Sequence, residues 1–492
     1  MTNSDRRVSL FALCFPYQNK TFGPESSAIT LGGPVQATGS LRPHIRGAST
    51  LTPFKTLALD FSVRRATILL GPRRVGKTVI IKQLINDAII SGLSPKSILY
   101  ASIDAPIYSG LPLEKFISFL PADSNGQKLI IFDEIQYLRD WEVHLKDLVD
   151  NYPQIKFVAT GSAAAALRLK SRESGAGRFS EFMLPPLTFY EFLVFTGKND
   201  GLIRKGERGW YHTSDIEALN AEFVNYLNFG GYPEVVLSQT VRSNAEQFIR
   251  NDIIDKVLLK DLPSLYGISE IQQLNKLFSF LAYNSGNEAS LENISQQSGL
   301  AKATIRRYIE YLESAFLIIK LTTVDDNCRT LQRERNFKIY LNNPSMRAAL
   351  FAPIKDDDNN KIGHLAESAI FSQWQHSANF RHLRYARWRN EGEVDIVYLQ
   401  PTDQRPLWIG EIKWSDRIAT QFGDETESIR TLLQKHKTIN AVVYTTKTLE
   451  KKVMLENRPM TIIPSALYCY TIGKNITARL DKAAQVATAD EN

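Results

Sequence analysis

The sequence predicts an α/β fold: a doubly wound parallel-sheet core, a helical lid, a winged-helix-like segment and a second, C-terminal α/β unit. Short apolar runs alternate with amphipathic segments from Phe54 onward, which is typical of a parallel sheet with helices on both faces. A second alternation begins at Lys361, after the acidic loop 356–358. The expected boundaries are 1–50 for an irregular arm, 51–215 for the core, 216–262 for the lid, 263–350 for the winged-helix-like segment, 361–478 for the C-terminal unit and 479–492 for a disordered tail.

The core is organised around a glycine-containing loop between a strand and a helix. Ala66 to Leu70 is a short apolar run, and the apolar residues that follow the loop shift to helical spacing. The loop fits the pattern G-x-x-x-x-G-K-[ST] in the strand–loop–helix context that this motif requires. Its residues are Gly71, Pro72, Arg73, Arg74, Val75, Gly76, Lys77 and Thr78.

This motif predicts a site for ATP with Mg²⁺. Gly71 and Gly76 let the backbone approach a polyphosphate, so that main-chain N–H groups and the helix N-terminus point at it. Lys77 supplies a mobile positive charge for the β- and γ-phosphate oxygens, and Thr78 supplies a hydroxyl for Mg²⁺.

The ends of the following strands carry further polar residues. Apolar runs at 98–103, 128–132 and 155–160 predict three more strands, and ligands of such sheets bind beyond the carboxyl ends of the strands. We expect Asp133 to hold Mg²⁺ through water and Glu134 to orient and polarise the attacking water. Thr160 and Ser162 follow the next strand, either as sensors of the γ-phosphate or as part of a tight turn, and the sequence leaves both open.

At this point the sequence resembles a family of prokaryotic AAA-type ATPases that carry a C-terminal restriction-nuclease-like domain. The resemblance implies the nucleotide-site roles given above. It also implies that Arg178 is a finger reaching the γ-phosphate of a neighbouring subunit, and a surface arginine paired within its own loop is the alternative. The family has Asp where this sequence has Asn342 or Asn343, so a charge-dependent role is not expected there. The matching stretches, within residues 55–415, are GPRRVGKT, IIFDEIQYLRDWE, FVATGSAAA, AGRFSEFMLPPLTFYEFL, NFGGYPEVV and KIYLNNPSMRAAL.

Residues 263–350 contain a helix-turn-helix pattern. Ser290 is a candidate N-cap of a first helix, Gly299 lies in the turn, and a second helix begins at Lys302. The basic side chains Lys302, Arg306 and Arg307 on the second helix predict contact with a DNA groove. Packing against protein is the alternative, because basic residues are common on any exposed helix face.

In the C-terminal unit, a candidate hairpin places Asp395 beside Glu411 and Lys413, which share one face of a strand. This is the D-x(n)-E-x-K arrangement of the restriction-nuclease superfamily, and Glu367 on the preceding helix matches its additional acid. Two carboxylates hold a divalent metal and the lysine orients water in such a site. We therefore expect Asp395, Glu411 and Lys413 to be catalytic, with Glu367 as a further metal ligand.

A run of basic and aromatic residues precedes this hairpin. It contains Arg384 and Arg387, which we expect to contact nucleic acid. The same run suits a domain that binds DNA without cutting it, so the sequence leaves cutting and silent binding as alternatives.

Composition bounds the partners and the compartment. Lys and Arg outnumber Asp and Glu by 59 to 52, and the net charge of +7 permits nucleic acid as a partner without requiring it. The three cysteines match no metal spacing, which favours a reducing cytoplasm. No apolar run approaches the roughly 18 residues of a membrane span, so we expect no membrane contact, and a homo-oligomer or a partner protein is compatible with the sequence.

These observations predict a cytoplasmic AAA-type ATPase that acts on DNA. In this reading ATP gates a metal-dependent nuclease-like domain, in defence or mobile-element biology, a context that rests on the resemblance alone. The alternative is an ATP-dependent signalling or assembly switch whose C-terminal domain only binds DNA or a partner protein.

Overall fold

The computed structural model describes residues 48–121, 126–162, 177–207, 209–325, 327–328, 336–388 and 392–489, with side chains described from residue 54 to residue 479 within these ranges. The expected irregular arm therefore lies outside the described residues up to residue 47. The first described element is helix α1 (Ala48–Leu59).

The N-terminal unit is built on a parallel sheet of five strands in the order β2-β3-β4-β1-β5. A hydrophobic core lies on each face of this sheet, and neighbouring residues of a strand belong to different cores because successive side chains point to opposite faces. Ile131 packs with α1 and α2, whereas Phe132 packs with α3. The expected α/β fold with a parallel sheet is thus confirmed. The elements are β1 (Ala66–Leu70), α2 (Lys77–Ile90), β2 (Ile98–Ser102), β3 (Lys128–Asp133), α3 (Trp141–Asn151), β4 (Ile155–Gly161) and β5 (Phe179–Met183).

A mostly helical segment follows and packs on the nucleotide-site side of α2. Val235, Ile253 and Val257 share one core with Ile80 and Leu84 of α2. Two π-helical turns, Arg250–Asp255 and Val257–Asp261, interrupt it. The helices and the short hairpin are α4 (Phe189–Phe195), α5 (Asn199–Leu202), β6 (Ile203–Lys205), β7 (Tyr211–Thr213), α6 (Ile216–Phe229), α7 (Pro233–Leu237), α8 (Gln239–Arg242), α9 (Ala245–Ile249) and α10 (Leu262–Tyr266).

The helix-turn-helix pattern folds as two helices joined by a tight turn. The Ser290 hydroxyl accepts a hydrogen bond from the Asn293 N–H at 3.1 Å, which caps the first helix. Gly299 ends that helix with φ of 72°, a conformation that favours glycine. Two antiparallel strands, Ile318–Val324 and Asn336–Leu341, follow the second helix. The winged-helix assignment stays a prediction. The helices here are α11 (Ile271–Tyr283), α12 (Leu291–Ser298), α13 (Lys302–Ser314) and α14 (Ser345–Phe351).

The second sheet has nine strands in the order β15-β16-β14-β13-β12-β11-β9-β10-β8. The parallel pairing of β11 with β9, with Tyr385 opposite Thr323, joins strands from the two segments 263–350 and 361–478. These segments, which the sequence predicts as separate domains, therefore share one sheet. The strands are β8 (Glu288–Ser290), β9 (Ile318–Val324), β10 (Asn336–Leu341), β11 (Leu383–Arg387), β12 (Glu393–Leu399), β13 (Pro406–Glu411), β14 (Ala441–Thr446), β15 (Lys451–Leu455) and β16 (Arg458–Pro464).

Helices cover both faces of this second sheet. Ile396 of β12 packs with α15 and α18 on one face, and its neighbour Val397 packs with α17 on the other. Among the described residues, no helix is long and apolar enough to cross a membrane. The helices are α15 (Asn359–Trp374), α16 (Phe422–Glu425), α17 (Glu427–Lys435) and α18 (Ser465–Ala489).

The C-terminal helix α18 returns to the N-terminal half of the chain. The Tyr470 hydroxyl donates to the Asn199 side chain at 2.8 Å, and the Lys474 ammonium donates to the Tyr190 hydroxyl at 2.7 Å. The expected disordered tail is corrected over most of its length, because α18 continues to Ala489. Alanine, which has the highest helix propensity, is frequent in that stretch.

Candidate functional site

The glycine-containing loop begins where β1 ends and closes on the N-terminus of α2. A Cβ atom at Gly71 would lie 2.3 Å from the Leu184 carbonyl oxygen, so only glycine fits there. Gly76 has φ of 100° and is the N-cap of α2, a conformation that side chains rarely adopt. Val75 is buried beneath the loop. Close packing and two constrained glycines therefore hold the backbone that faces the phosphate position.

Lys77 is folded back onto its own loop. Its ammonium donates to the carbonyl oxygens of Gly71 at 3.0 Å and Pro72 at 2.8 Å, and only 5% of the residue is exposed. Burial lowers the pKa of Lys77, while the carboxylates of Glu134 and Asp133 act in the opposite direction. The lysine is thus held within the loop by two hydrogen bonds that phosphate oxygens can replace.

Asp133 sits at the end of β3 and accepts three side-chain hydrogen bonds. Thr78 donates to Asp133 Oδ2 at 2.9 Å, Tyr100 donates to the same oxygen at 2.7 Å, and Thr160 donates to Oδ1. Burial and the Asp133 carboxylate raise the pKa of Tyr100 above its usual range. The hydroxyl of Thr78 and the carboxylate of Asp133 face each other, which is the oxygen donor set that Mg²⁺ takes in P-loop sites. These residues therefore fit the metal.

Glu134 is joined to Ser162 through Gln136. Glu134 has φ of 55°, and its N–H donates to the Thr160 hydroxyl at 3.0 Å. The Gln136 amide donates to Glu134 Oε2, and its oxygen accepts the Ser162 N–H at 3.2 Å. The Ser162 hydroxyl is buried and has no hydrogen-bond partner among the described residues. The expected acid and the expected sensor thus belong to one network.

Two loop arginines connect the loop to the helical segment. Arg73 forms a bidentate ion pair with Asp261, with both N–O distances at 2.8 Å, and this pair raises the pKa of Arg73 against the effect of burial. Arg74 contacts Asp252 at 2.8 Å and Glu234 at 3.4 Å, and these side chains are more exposed. The expected lid is therefore tied to the phosphate loop through charge pairs.

Arg178 lies at the other end of the sheet from the loop. Its carbonyl accepts the N–H of Ala66, the first residue of β1, and its guanidinium pairs with Asp150 of α3 at 2.7 Å. The loop follows the last residue of β1, about 13 Å further along the strand. Within this chain, Arg178 is therefore paired locally and not beside Lys77.

The expected nuclease-type residues share a second site. Asp395 on β12, Glu411 and Lys413 at the end of β13, and Glu367 on α15 line one cleft of about 420 Å³. Lys413 contacts Glu411 Oε1 at 2.6 Å, and the Ile412 N–H donates to Asp395 Oδ2 at 2.9 Å. We call this site the acidic cleft.

Lys338 of β10, absent from the sequence-based prediction, projects into the acidic cleft. Its ammonium lies 2.5 Å from Glu393 Oε1, 3.2 Å from Asp395 Oδ1 and 3.7 Å from Glu367 Oε2. A lysine flanked by the apolar residues Phe337 and Ile339 was the available signal. Glu393 and Asp395 lie more than fifty residues further along the chain, so this signal did not identify the site.

The carboxylates of the acidic cleft differ in pKa, because burial and mutual repulsion affect each of them differently. Burial and the charge of Asp395 raise the pKa of Glu411 to about 8 and that of Glu367 to about 7. Burial also acts to raise the pKa of Asp395, but the ammonium groups of Lys338 and Lys413 hold it below its ordinary value. Asp395 is therefore the carboxylate that stays ionised most readily.

The carboxylates of the acidic cleft do not form a metal site as they stand. Within the described ranges, no three His, Cys, Asp or Glu side chains are grouped closely enough to hold a metal ion. Both carboxylate oxygens of Asp395 accept hydrogen bonds, one from the Lys338 ammonium and one from the Ile412 N–H. Glu367 Oε2 accepts a hydrogen bond from the Tyr340 hydroxyl at 2.9 Å. The expected metal-ligand roles of these acids therefore do not fit this arrangement.

The basic residues expected to meet nucleic acid are dispersed. On α13, Arg306 and Arg307 are exposed, and Lys302 pairs with Glu292 of the preceding helix. Arg384 donates to backbone carbonyls of its own turn, while Arg387 pairs with Glu393 at 3.2 Å at the edge of the acidic cleft. Among the five basic residues that the sequence predicts at this interface, all of them described, Arg306 and Arg307 are the two exposed arginines that lie side by side.

Asn343 is one of the two asparagines, with Asn342, at which the family that the sequence resembles has Asp. Its side-chain oxygen accepts from the Ser345 N–H at 3.0 Å and from the Ser345 hydroxyl at 2.7 Å. A neutral amide supplies this acceptor as well as a carboxylate does. Asn342 is also buried, with its backbone N–H bonded to Leu317.

Comparison with known proteins identifies part of the chain. Residues 63–193 match a family described as an AAA domain, and residues 220–358 match a domain of unknown function (DUF8612). The chain therefore contains an AAA-type domain that includes the phosphate loop. Neither match extends over 361–478, so the restriction-nuclease-like assignment stays a prediction.

Two relatives are similar over about half of this chain. An uncharacterized protein of Haemophilus influenzae is 25% identical over 271 residues, which cover 52% of this chain and 62% of that protein. An uncharacterized protein of Methanocaldococcus jannaschii is 25% identical over 300 residues, covering 55% and 59%. The chain thus spans less than two thirds of the length of either relative.

Two solved structures are similar at low scores. Cdc6p from Pyrobaculum aerophilum is 13% identical with a TM-score of 0.28, over 64% of this chain and 95% of that chain. The replication initiator DnaA bound to AMPPCP and single-stranded DNA is 14% identical with a TM-score of 0.27, over 55% and 89%. Scores this low carry no argument about the function of this chain.

Proposed function

We propose that this chain binds ATP with Mg²⁺ and hydrolyses it at the phosphate loop. The observation that carries the proposal is the contact of Thr78 with Asp133 beside Lys77, whose ammonium donates to two carbonyls of its own loop. An anion that enters the loop replaces the two carbonyl partners of Lys77 and meets the N-terminus of α2. Mg²⁺ would be held by Thr78 and Asp133 and would supply charge neutralisation of the phosphates.

Glu134 is proposed as the residue that positions the attacking water. Gln136 holds one oxygen of this carboxylate, so the side chain has a defined orientation before substrate arrives. The Ser162 hydroxyl, buried and without a described partner, is proposed to meet the γ-phosphate. Because Gln136 bonds to both residues, a change at Ser162 would be passed to Glu134.

The test is nucleotide binding and turnover by the full chain. We expect ATP with Mg²⁺ to raise the thermal midpoint of the wild type, and Lys77→Ala to weaken nucleotide binding at least about tenfold. Glu134→Gln should keep binding but lose turnover, because the substitution removes the base and retains the size. Lys82→Ala, on the same helix, is the matched control. Absence of any nucleotide-dependent shift in the wild type at millimolar ATP would refute the proposal.

A trans role for Arg178 is a further part of this proposal. Its exposed guanidinium is paired with Asp150 in this chain and is free to exchange partners at a subunit contact. In that case, mixing Arg178→Ala with an ATPase-dead Lys77→Ala protein would restore turnover in mixed oligomers. No turnover in any mixture, with oligomers present, would assign Arg178 to its pair with Asp150.

A second candidate function is action on DNA by the C-terminal unit, gated by ATP. It is favoured because Asp395, Glu411, Lys413 and Glu367 converge on one cleft. The test incubates the full chain with circular and linear DNA, with and without ATP and Mg²⁺, and compares the wild type with Asp395→Asn. Cleavage that is lost in this variant supports a nuclease. Binding without cleavage supports the alternative of a switch whose C-terminal domain only binds DNA or a partner protein.

A further inference from the structure

The acidic cleft already contains a cation of its own, the ammonium group of Lys338. Only 4% of this residue is exposed. Its ammonium faces the carboxylates of Glu393, Asp395 and Glu367 within 3.7 Å, and it lies 5.5 Å from the centre of the Tyr385 ring. A lysine is tolerated at such burial only when its charge is compensated. The three carboxylates thus compensate the buried charge of Lys338, and Lys338 reduces the repulsion among the carboxylates.

The acids of the cleft have few oxygens left for a second cation. Asp395 uses one oxygen for Lys338 and the other for the Ile412 N–H. Glu367 accepts from Tyr340, and Glu411 uses Oε1 for Lys413. Glu411 Oε2 is buried and has no hydrogen-bond partner among the described residues. A single buried free oxygen does not make a site for a divalent ion, which takes several oxygen ligands.

Lys338 reaches the cleft from a different part of the chain than the acids do. It lies on β10, in the segment 220–358 that matches one family, whereas Asp395 and Glu411 lie beyond that segment. The strand β10 is separated from β12 by β9 and β11 in the sheet. The contact between Lys338 and Asp395 therefore joins two strands that are not neighbours in the sheet.

We propose that Lys338 is the resident cation of the acidic cleft and occupies the place of a divalent metal, which binds there only when this ammonium is withdrawn. The inference concerns the second candidate function and does not depend on ATP hydrolysis. It assigns the carboxylates to an ion-pair cluster in the state described here. The ammonium pairs with Asp395 Oδ1 and Glu393 Oε1, so its loss frees these two oxygens in the cleft, and carboxylate oxygens are ligands that Mn²⁺ and Mg²⁺ prefer.

The test measures Mn²⁺ binding to the nucleotide-free full chain by electron paramagnetic resonance of the free ion, with the thermal midpoint as a second readout. We expect no Mn²⁺ binding by the wild type at submillimolar concentrations. Lys338→Met, which keeps the length and removes the charge, should bind one Mn²⁺ at least about tenfold more tightly than the wild type. Lys338→Arg keeps the charge and should behave as the wild type does.

Two further variants locate the new site and guard against misfolding. Lys338→Met combined with Asp395→Asn should lose the gained Mn²⁺ binding. If Lys338→Met does not fold, then Lys338→Gln, which also removes the charge and keeps a polar end that can donate to the carboxylates, is measured instead. An unchanged ATP-dependent thermal shift shows that the N-terminal unit is intact.

Two results would overturn the inference. One is Mn²⁺ binding by the wild type that disappears in Asp395→Asn, since a metal would then share the cleft with Lys338. The other is a folded Lys338→Met or Lys338→Gln protein that gains no Mn²⁺ binding. DNA cleavage is not part of this readout, so failure of the nuclease candidate and failure of this inference remain distinguishable.

Discussion

The ion pair between Arg73 and Asp261 should stabilise the unliganded protein and oppose nucleotide binding. Asp261→Asn removes the negative charge and leaves Arg73 with a single neutral acceptor. The side chains are 17% and 8% exposed, and both N–O distances are 2.8 Å. Breaking a fully buried pair costs about 3–5 kcal/mol, and partial access of water to Arg73 reduces this to roughly 2–3 kcal/mol. The thermal midpoint of the N-terminal unit should then fall by roughly 5–10 °C.

The same substitution should tighten ATP binding, because it frees a guanidinium beside the phosphate position and removes a carboxylate from it. Thermal unfolding with and without ATP and Mg²⁺ measures both effects on one sample. Asp252→Asn is the matched control, since its pair with Arg74 is more exposed and should contribute no more than about 1 kcal/mol. A midpoint for Asp261→Asn within about 2 °C of the wild type, or weaker ATP binding, would refute this reasoning.

Three further outcomes follow from the structure. Gly231→Ala should destabilise the protein by roughly 2 kcal/mol or more in chemical denaturation, because φ is 93° and the new Cβ would lie 2.5 Å from the Asn343 side chain. Arg306→Glu should weaken DNA binding and flatten its salt dependence, whereas the exposed Arg204→Glu should not; equal effects would exclude α13 from the interface. Burial and Asp395 raise the pKa of Glu411 to about 8, so the folded protein keeps a proton that the unfolded chain releases above pH 4.5. Thermal stability should therefore fall between pH 5 and about 8, and less so in Glu411→Gln, whereas identical pH profiles would contradict that pKa.

The nucleotide site was largely predictable because its signals are local. The loop 71–78 is one continuous motif, and Asp133 and Glu134 follow directly on an apolar strand. The role of Gln136 could also have been predicted, because it lies two positions beyond Glu134. The role of Tyr100 could not, because its contact with Asp133 requires β2 and β3 to be neighbours, and the sequence of one strand does not determine the order of strands in a sheet.

The acidic cleft shows the opposite limit. Lys413 contacts Glu411 as its spacing suggested, although β13 ends at Glu411 and Lys413 lies two residues beyond the strand. The antiparallel pairing of β12 with β13 brings Asp395 into the same cleft. Lys338, which pairs with these acids, comes from β10, through a parallel pairing of β11 with β9 that has no local sequence signal. The spacing of residue types therefore predicted which acids meet, but not the lysine that pairs with them.

The two sites are connected through the strand that carries Lys338. β10 ends two residues before Asn343, whose side chain packs on Gly231. The residues that follow Gly231 in sequence lie beside the phosphate loop. There Glu234 pairs with Arg74, and Pro233 lies near Gly76. A phosphate that draws Arg74 away from Glu234 would thus act on the segment against which β10 ends. Gly231 has no room for a side chain against Asn343, and Lys338 lies on the strand that ends just before Asn343. A continuous series of contacts therefore connects the phosphate loop with the acidic cleft.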